Sequence, residues 1–450
     1  MSVFIDQRPP RSARAFSSPA VEDALARVSA DIRDPELAWL FRNCLPNTLD
    51  TTVTPGLTAD GRPDTFVITG DIDAMWLRDS TAQVWPYLPF AREDRPLQTL
   101  LRGVIHRQVA CVLLDPYANA FYPGPTTGKW LSDDTAMRPG VHERKYELDS
   151  LCAVLRLASG YWRATGDRSP ADADFRRAVT LIVETLRAEQ AGFDETPGSP
   201  YRFQRSSPQP SETLPEGGRG QPGRRCGLSR SPFRPSDDAT LFPFLVPANA
   251  MAVVTLREVS CLLAAVGDIP LSADTSALAE EIDTALQTCA VAADPEHGEI
   301  WAYEVDGFGN RLLMDDANVP SLLALPYLGF CAKDDPRYQH TRGFVLSEDN
   351  PYFSRGRAGE GIGGPHVGRG WIWPMATIMR ALTATRDAEI VACLRQLRAT
   401  HAGTGFMHET FWHDDAARFT RPWFAWANTL FGELILTLHA ERPHVLQSTL

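Results

Sequence analysis

Apolar residues recur at i, i+3, i+4 and i+7 through most of the chain, a spacing that predicts about a dozen amphipathic helices. They fall at 21–32, 36–44, 78–90, 95–114, 146–165, 171–190, 247–266, 273–289, 320–330, 371–383, 388–400 and 423–439. Ser272 and Asp387 suit N-caps. Pro247 and Pro320 suit first helical turns, where a missing amide hydrogen is no loss. Strand patterns are few. Residues 65–69 form a short apolar run, and 299–306 with 311–314 flank Gly307-Phe308-Gly309-Asn310 as the arms of a hairpin. Strands do not alternate with helices, so a parallel α/β sheet is disfavoured. The expected fold is all-α: helical hairpins packed side by side, with short β-hairpin insertions.

Composition sets the scale. At 450 residues and 44% hydrophobic content the chain can bury a large core, as either one big domain or two ordinary ones. The net charge of −12 comes with no Lys or Arg block able to track a phosphate backbone, which argues against nucleic acid. No apolar run approaches the ~18 residues of a membrane span, and the N-terminus has no apolar leader. Cys44, Cys111, Cys152, Cys226, Cys261, Cys289, Cys331 and Cys393 are scattered without a C-x-x-C pair. They read as reduced core thiols of a cytoplasmic protein, not as a zinc site. Residues 204–230, rich in Ser, Pro, Gly and Arg, read as an exposed flexible loop. The pattern does not define an oligomeric state.

Polar chemistry concentrates in five places. Gly70-Asp71-Ile72-Asp73-Ala74-Met75-Trp76-Leu77-Arg78-Asp79 gathers three acids, an arginine and a tryptophan at an expected loop–helix junction. Carboxylates and arginine bind sugar hydroxyls, and an indole face stacks on a pyranose; Asp capping with an Asp–Arg pair is the competing reading. In Phe233-Arg234-Pro235-Ser236-Asp237-Asp238-Ala239, Pro235 stiffens a turn and Ser236 can cap a following helix. Adjacent carboxylates repel, and partial burial raises the proton affinity of one, which suits a general acid. In Gly403–Phe411, Glu409 lies in a glycine-rich aromatic loop and can act as a general base. His408 beside it lacks a second His at ligand spacing, so no metal and no cofactor is expected. Gly361–Pro374 is a glycine-rich loop in which His366 can bond a sugar, while Trp371 and Trp373 can stack on it or pack in the core. In Val141–Ser150, Glu147 or Asp149 can face a cavity or join a salt-bridged helix start.

Five stretches carry a resemblance to a known family: Thr69–Tyr87, Lys145–Cys152, Phe233–Ala239, Gly363–Pro374 and Gly405–Phe411. In this order, and over nearly the whole chain, the sequence resembles glycoside hydrolase family 125, the exo-α-1,6-mannosidases. The resemblance implies an (α/α)6 barrel, a single catalytic domain over 1–450. It also implies metal-independent release of non-reducing terminal α-1,6-linked mannose, with inversion, from an oligosaccharide or N-glycan. It implies an Asp general acid, Asp237 or Asp238 with Asp237 preferred, and Glu409 as general base. Asp71, Asp73, Trp76, Arg78, Asp79, Glu147, Arg234, His366, Trp373 and His408 are the expected sugar contacts. An α-glucosidase on the same barrel and a non-catalytic glycan-binding protein are the alternatives.

Overall fold

The computed structural model describes residues 4–126 and 128–449. The chain forms two compact units. One comprises 1–73, 82–104 and 351–450, and the other 74–81 and 105–350.

In the second unit, Leu148–Thr165 packs against Val246–Ala265, which packs in turn against Ile269–Cys289. The middle helix is long and apolar enough to cross a bilayer, contrary to the expectation that no run approaches that length. Its apolarity is that of a core helix. Val253, Leu256, Val259 and Leu263 are inaccessible to solvent or nearly so, and helices cover two of its sides. Small antiparallel sheets stand at the helix N-termini. Met75–Trp76, Ala120–Phe121 and Val141–Glu143 form one, and Phe244–Leu245, Glu304–Val305 and Arg311–Leu312 another. The Glu304–Val305 and Arg311–Leu312 pair is the hairpin expected around Gly307, but its first arm is shorter than 299–306, because Gly298–Trp301 pairs with Val291–Asp294 instead.

In the first unit, Pro374–Leu382 packs against both Asp387–Thr400 and Ala425–Glu441, and Ala425–Glu441 also packs on Pro35–Cys44. The expected strand at 65–69 is Pro63–Val67, paired with Val53–Leu57. A three-stranded sheet of Trp371–Ile372, Thr410–Trp412 and Asp415–Thr420 carries two of the polar motifs.

Local chemistry starts and stops these helices. The Ser18 Oγ accepts from Val21 N at 3.2 Å, and Asp34 Oδ1 accepts from Glu36 and Leu37 N at 3.1 and 2.9 Å. Each satisfies amide donors that the first turn leaves open. Pro19 and Pro35 follow these caps directly. Gly166, with φ 75°, ends Leu148–Thr165 by donating its amide to Trp162 O at 2.7 Å.

Some expectations differ from what is observed. Asp268, not Ser272, caps Ile269–Cys289, accepting from Leu271 N at 3.3 Å. Asp387 is already the first helical residue of its helix. The 78–90 helix is α-helical only over Leu77–Val84 and continues as a 3₁₀ segment, Trp85–Phe90, because Pro86 and Pro89 withhold helix donors. The helix expected at 371–383 begins at Pro374, since Trp371–Ile372 is drawn into pairing with Phe411 and Trp412. Of 320–330 only Leu325–Leu328 is helical. Pro336–Val345 is a helix that apolar spacing did not reveal.

Leu155 is fully buried in Leu148–Thr165. Leu155→Ala is expected to cost about 2–5 kcal/mol, measured as a fall in the denaturant midpoint, because a packed core collapses only partly around the lost volume.

Candidate active site

In the second unit, the motif around Asp237 folds as a tight turn rather than a helix start. Asp237 N donates to Arg234 O at 2.9 Å, Arg234 N donates to Asp238 O at 2.8 Å, and Asp237 takes φ 65°. A left-handed conformation is costly for a residue with a Cβ, so the surroundings must hold it. They do so through buried groups. Arg234 Nε bonds Glu304 Oε1 at 2.6 Å, and Glu304 Oε2 accepts from Leu241 and Phe242 N at 2.8 and 2.9 Å. Ser236 Oγ lies 3.0 Å from Asp238 Oδ2 and 3.2 Å from Asp316 Oδ2. Ser236 thus bonds within the turn and caps no helix. Ala239 N donates to Ser211 O at 2.8 Å, tying the 204–230 segment to the turn.

The two adjacent acids are thereby separated. Asp238 is 2% exposed and faces inward. The Asp237 side chain keeps 27% exposure and meets the Asn119 amide, whose Nδ2 lies 3.1 Å from Asp237 Oδ1, 3.2 Å from Glu147 Oε1 and 3.1 Å from Glu143 Oε2. Lys145 Nζ donates to the Asp237 carbonyl at 2.7 Å and to Glu212 Oε2 at 3.1 Å. Burial works against the Lys145 charge, but Glu143, Asp237 and Glu212 overcome it and hold its proton affinity above the usual lysine value.

Arg78 organises the carboxyls beneath. Its Nη1 bonds Glu147 Oε2 and lies 3.1 Å from Asp149 Oδ2. Its Nη2 lies 3.4 Å from Asp79 Oδ2 and 3.9 Å from Asp237 Oδ1. All of this group except Asp237 is buried. Trp76, also buried, packs edge-on against His142 at 5.3 Å. Burial drives the Glu147 and Asp149 carboxyls up from their usual values, with Arg78 opposing and Asp237 adding to the rise.

In the first unit, Glu409 is 5% exposed at the start of the Thr410–Trp412 strand. Thr420 Oγ1 donates to its Oε2 at 2.8 Å, and Arg421 Nη1 to its Oε1 at 3.3 Å. Arg421, at φ 37°, also grips Asp71 with Nε at 3.1 Å from both carboxylate oxygens, and its guanidinium stands 4.8 Å from the centre of the Phe424 ring. The loop carrying Asp71 and Asp73 is fixed at Gly70, which takes φ 119° and bridges to Phe424; a Cβ there would lie 3.0 Å from Trp423 O. Both acids are exposed.

His366 is exposed, with its ring 6.4 Å from that of Trp373, and Trp373 is 2% exposed. His408 is 1% exposed, bonded to Thr404 Oγ1 at 3.0 Å and packed on Phe419. Burial, with a further push from His401, lowers its pKa to about 4.

Arg78, Asp79, Glu147 and Asp237 therefore meet in one cluster, and Asp71 meets Glu409 through Arg421 in another. Asp238 and Arg234 lie in the packing under the acid turn, and His408 lies in the core. Sequence reasoning missed Asn119, Lys145, Thr420 and Arg421. Lys145 sits in a motif noted for its charge, but nothing near Asn119 or Arg421 in the chain marks them out.

A partly exposed carboxyl on a constrained turn, beside a buried arginine–carboxylate cluster, is a candidate site for acid–base chemistry. The family model of the metal-independent alpha-mannosidases matches residues 34–436, and the chain belongs to that family, glycoside hydrolase family 125. It is 44% identical over 456 residues to the meiotically up-regulated gene 157 protein of Schizosaccharomyces pombe, covering 98% of this chain and 90% of that one. It is 42% identical to a metal-independent alpha mannosidase of Streptococcus pneumoniae, solved in a non-productive complex with α-1,6-mannobiose. That likeness has a TM-score of 0.90 and covers 95% of this chain and 100% of the other. A bacterial glucoamylase solved with acarbose shares the fold alone, at 13% identity and TM-score 0.52, over 83% of this chain and 50% of that one. The helical expectation is thus met, and the chain is a glycoside hydrolase, an α-mannosidase.

The depressed His408 pKa has a consequence for stability. The unfolded chain binds a proton at this residue near the ordinary value of about 6.5, whereas the folded chain waits until about 4. Stability is expected to fall as pH drops through that window. A conservative His408→Gln variant should show a shallower loss, read as the slope of thermal midpoint against pH.

Proposed function

We propose that the protein is an inverting exo-α-mannosidase that releases terminal α-1,6-linked mannose from the non-reducing end of oligosaccharides or N-glycans. We propose further that the chain acts as one catalytic (α/α)6 barrel. The observation that carries the reading is the likeness to the Streptococcus pneumoniae enzyme solved with α-1,6-mannobiose, at 42% identity over the whole of that chain.

Asp237 is the general acid. Its turn is fixed, its side chain is partly accessible, and it shares the Asn119 amide with Glu147. It gives its proton to the glycosidic oxygen as the bond to the anomeric carbon breaks. Glu409 is the general base, with Thr420 and Arg421 orienting its two oxygens. It takes a proton from the water that attacks the anomeric carbon, so an α-linkage yields β-mannose and a free hydroxyl on the leaving sugar. Inversion needs room for that water, which corresponds to carboxyl groups about 6.5–9.5 Å apart. Asp71, Asp73, Trp76, Arg78 and Asp79 are proposed to grip the terminal mannose.

Proton NMR of the first-formed sugar should show β-mannose; α-mannose would contradict inversion. Hydrolysis of α-1,6-mannobiose should exceed that of its α-1,2- and α-1,3-linked isomers, and equal rates, or a preference for α-glucosides, would overturn the linkage assignment. Asp237→Asn and Glu409→Gln should each lower kcat by about 10²–10⁴ on the disaccharide, as loss of a general acid or base does.

A further inference from the structure

The sheet of Trp371–Ile372, Thr410–Trp412 and Asp415–Thr420 has two unlike faces. Thr410 pairs with Thr420, Phe411 with Phe419 and Ile372, and Trp412 with Trp371. Paired residues share a face, and successive residues alternate between faces. Phe411, Phe419 and Ile372 therefore lie on one side, where Phe411 and Ile372 are inaccessible to solvent. Trp371, Trp412, Thr410, Thr420 and Arg418 lie on the other. Thr420 Oγ1 there lies 2.6 Å from Thr410 Oγ1 and donates to Glu409 Oε2 at 2.8 Å. The Glu409 carboxyl and the two indoles thus adjoin one surface.

The indoles are half-buried and held in place. Their rings meet edge to face with centres 5.4 Å apart. Trp412 lies against Gly370, which takes φ 85° and where a Cβ would come within 2.5 Å of the indole. Arg418 is exposed, and its guanidinium stands 4.9 Å from the Trp371 ring centre and 4.7 Å from that of Trp412. Among the described residues Arg418 has no carboxylate partner, and neither indole N–H has an acceptor. The opposite face of the sheet already supplies the core, so packing does not call for two tryptophans here. Fixed aromatic rings beside unused N–H donors suit a pyranose, whose C–H face stacks on an indole while its hydroxyls accept from the guanidinium.

Position decides which sugar is held. Trp412 follows Glu409 by three residues, about 10 Å of strand. The water activated at Glu409 attacks the terminal ring, so a group this far away meets a residue further along the glycan. We propose that Trp371, Trp412 and Arg418 form a sugar-binding platform for a residue of the oligosaccharide beyond the terminal disaccharide, and that it makes the protein favour longer α-1,6-linked chains. This rests on the reading of Glu409 as general base.

The test is kcat/KM of the full chain on α-1,6-mannobiose and α-1,6-mannotetraose for wild type, Arg418→Ala and Trp412→Ala. Wild type should favour the tetraose. Each variant should lower the tetraose-to-biose ratio by about three- to tenfold, the size of one lost aromatic contact, and the loss should appear in KM rather than kcat. A wild type without preference for the longer chain, or a ratio unchanged in the variants, would overturn the platform and leave the mannosidase reading standing. Should Trp412→Ala not fold, the exposed Arg418 still supplies the variant that decides. A wild type that cleaves neither substrate would instead remove the mannosidase reading. The platform is then read by binding alone, as tryptophan fluorescence titrated with mannotetraose in Glu409→Gln with and without Arg418→Ala. A weaker Kd in the double variant supports it, and an equal Kd overturns it.

Discussion

The Arg78 guanidinium, enclosed among Glu147, Asp149 and Asp79, is the interaction on which the carboxyl cluster of the second unit depends. A buried arginine is stable only with well-placed carboxylates, and removing one partner of such a group typically costs about 3–5 kcal/mol. Three elements meet at this point: the start of the Leu77–Val84 helix, the start of the Leu148–Thr165 helix and the turn carrying Asp237. Neutralising Arg78 would leave buried negative charge with no counterpart and would loosen the helix start that presents Glu147.

The turn at Asp237 stores strain that its surroundings hold in place. A positive φ at an aspartate persists because Arg234 is locked to Glu304, because Lys145 holds the Asp237 carbonyl, and because Ser236 bonds the inward carboxyls of Asp238 and Asp316. Below them, burial lifts Asp315 to about 8, and its oxygens accept from Leu322 and Leu323 N at 2.8 and 3.0 Å. Acidic groups thus serve two purposes around this turn: a buried set fixes the backbone, and one carboxyl is left with an accessible edge. In the first unit, taken by itself, Arg421 plays a comparable part, holding Glu409 and Asp71 at the end of a short sheet.

Helices were legible where apolar spacing ran long and uninterrupted. The range expected at 95–114 is the observed Arg95–Leu114, and 388–400 differs from Asp387–Thr400 by one residue. Failures came where pairing or proline overrode spacing, as at Trp371–Ile372 and Trp85–Phe90. The polar motifs themselves were conspicuous, because charges clustered beside tryptophan have little use in a core. What the sequence could not reveal is which of two adjacent acids faces outward. That depends on a backbone angle and on partners as distant as Asn119, 118 positions away, and Asp316, 80 positions from Ser236. The same distance effect hid Arg421, which reaches back 350 positions to Asp71.

The central claim is that the resting enzyme carries its reactive proton on Asp237, and infrared difference spectroscopy tests it most directly. The wild-type minus Asp237→Asn spectrum at neutral pH should contain the C=O stretch of a protonated carboxyl, and that band should vanish when the comparison is made above the alkaline limb of activity. A neutral-pH difference spectrum showing only the bands of an ionised carboxylate would contradict the account.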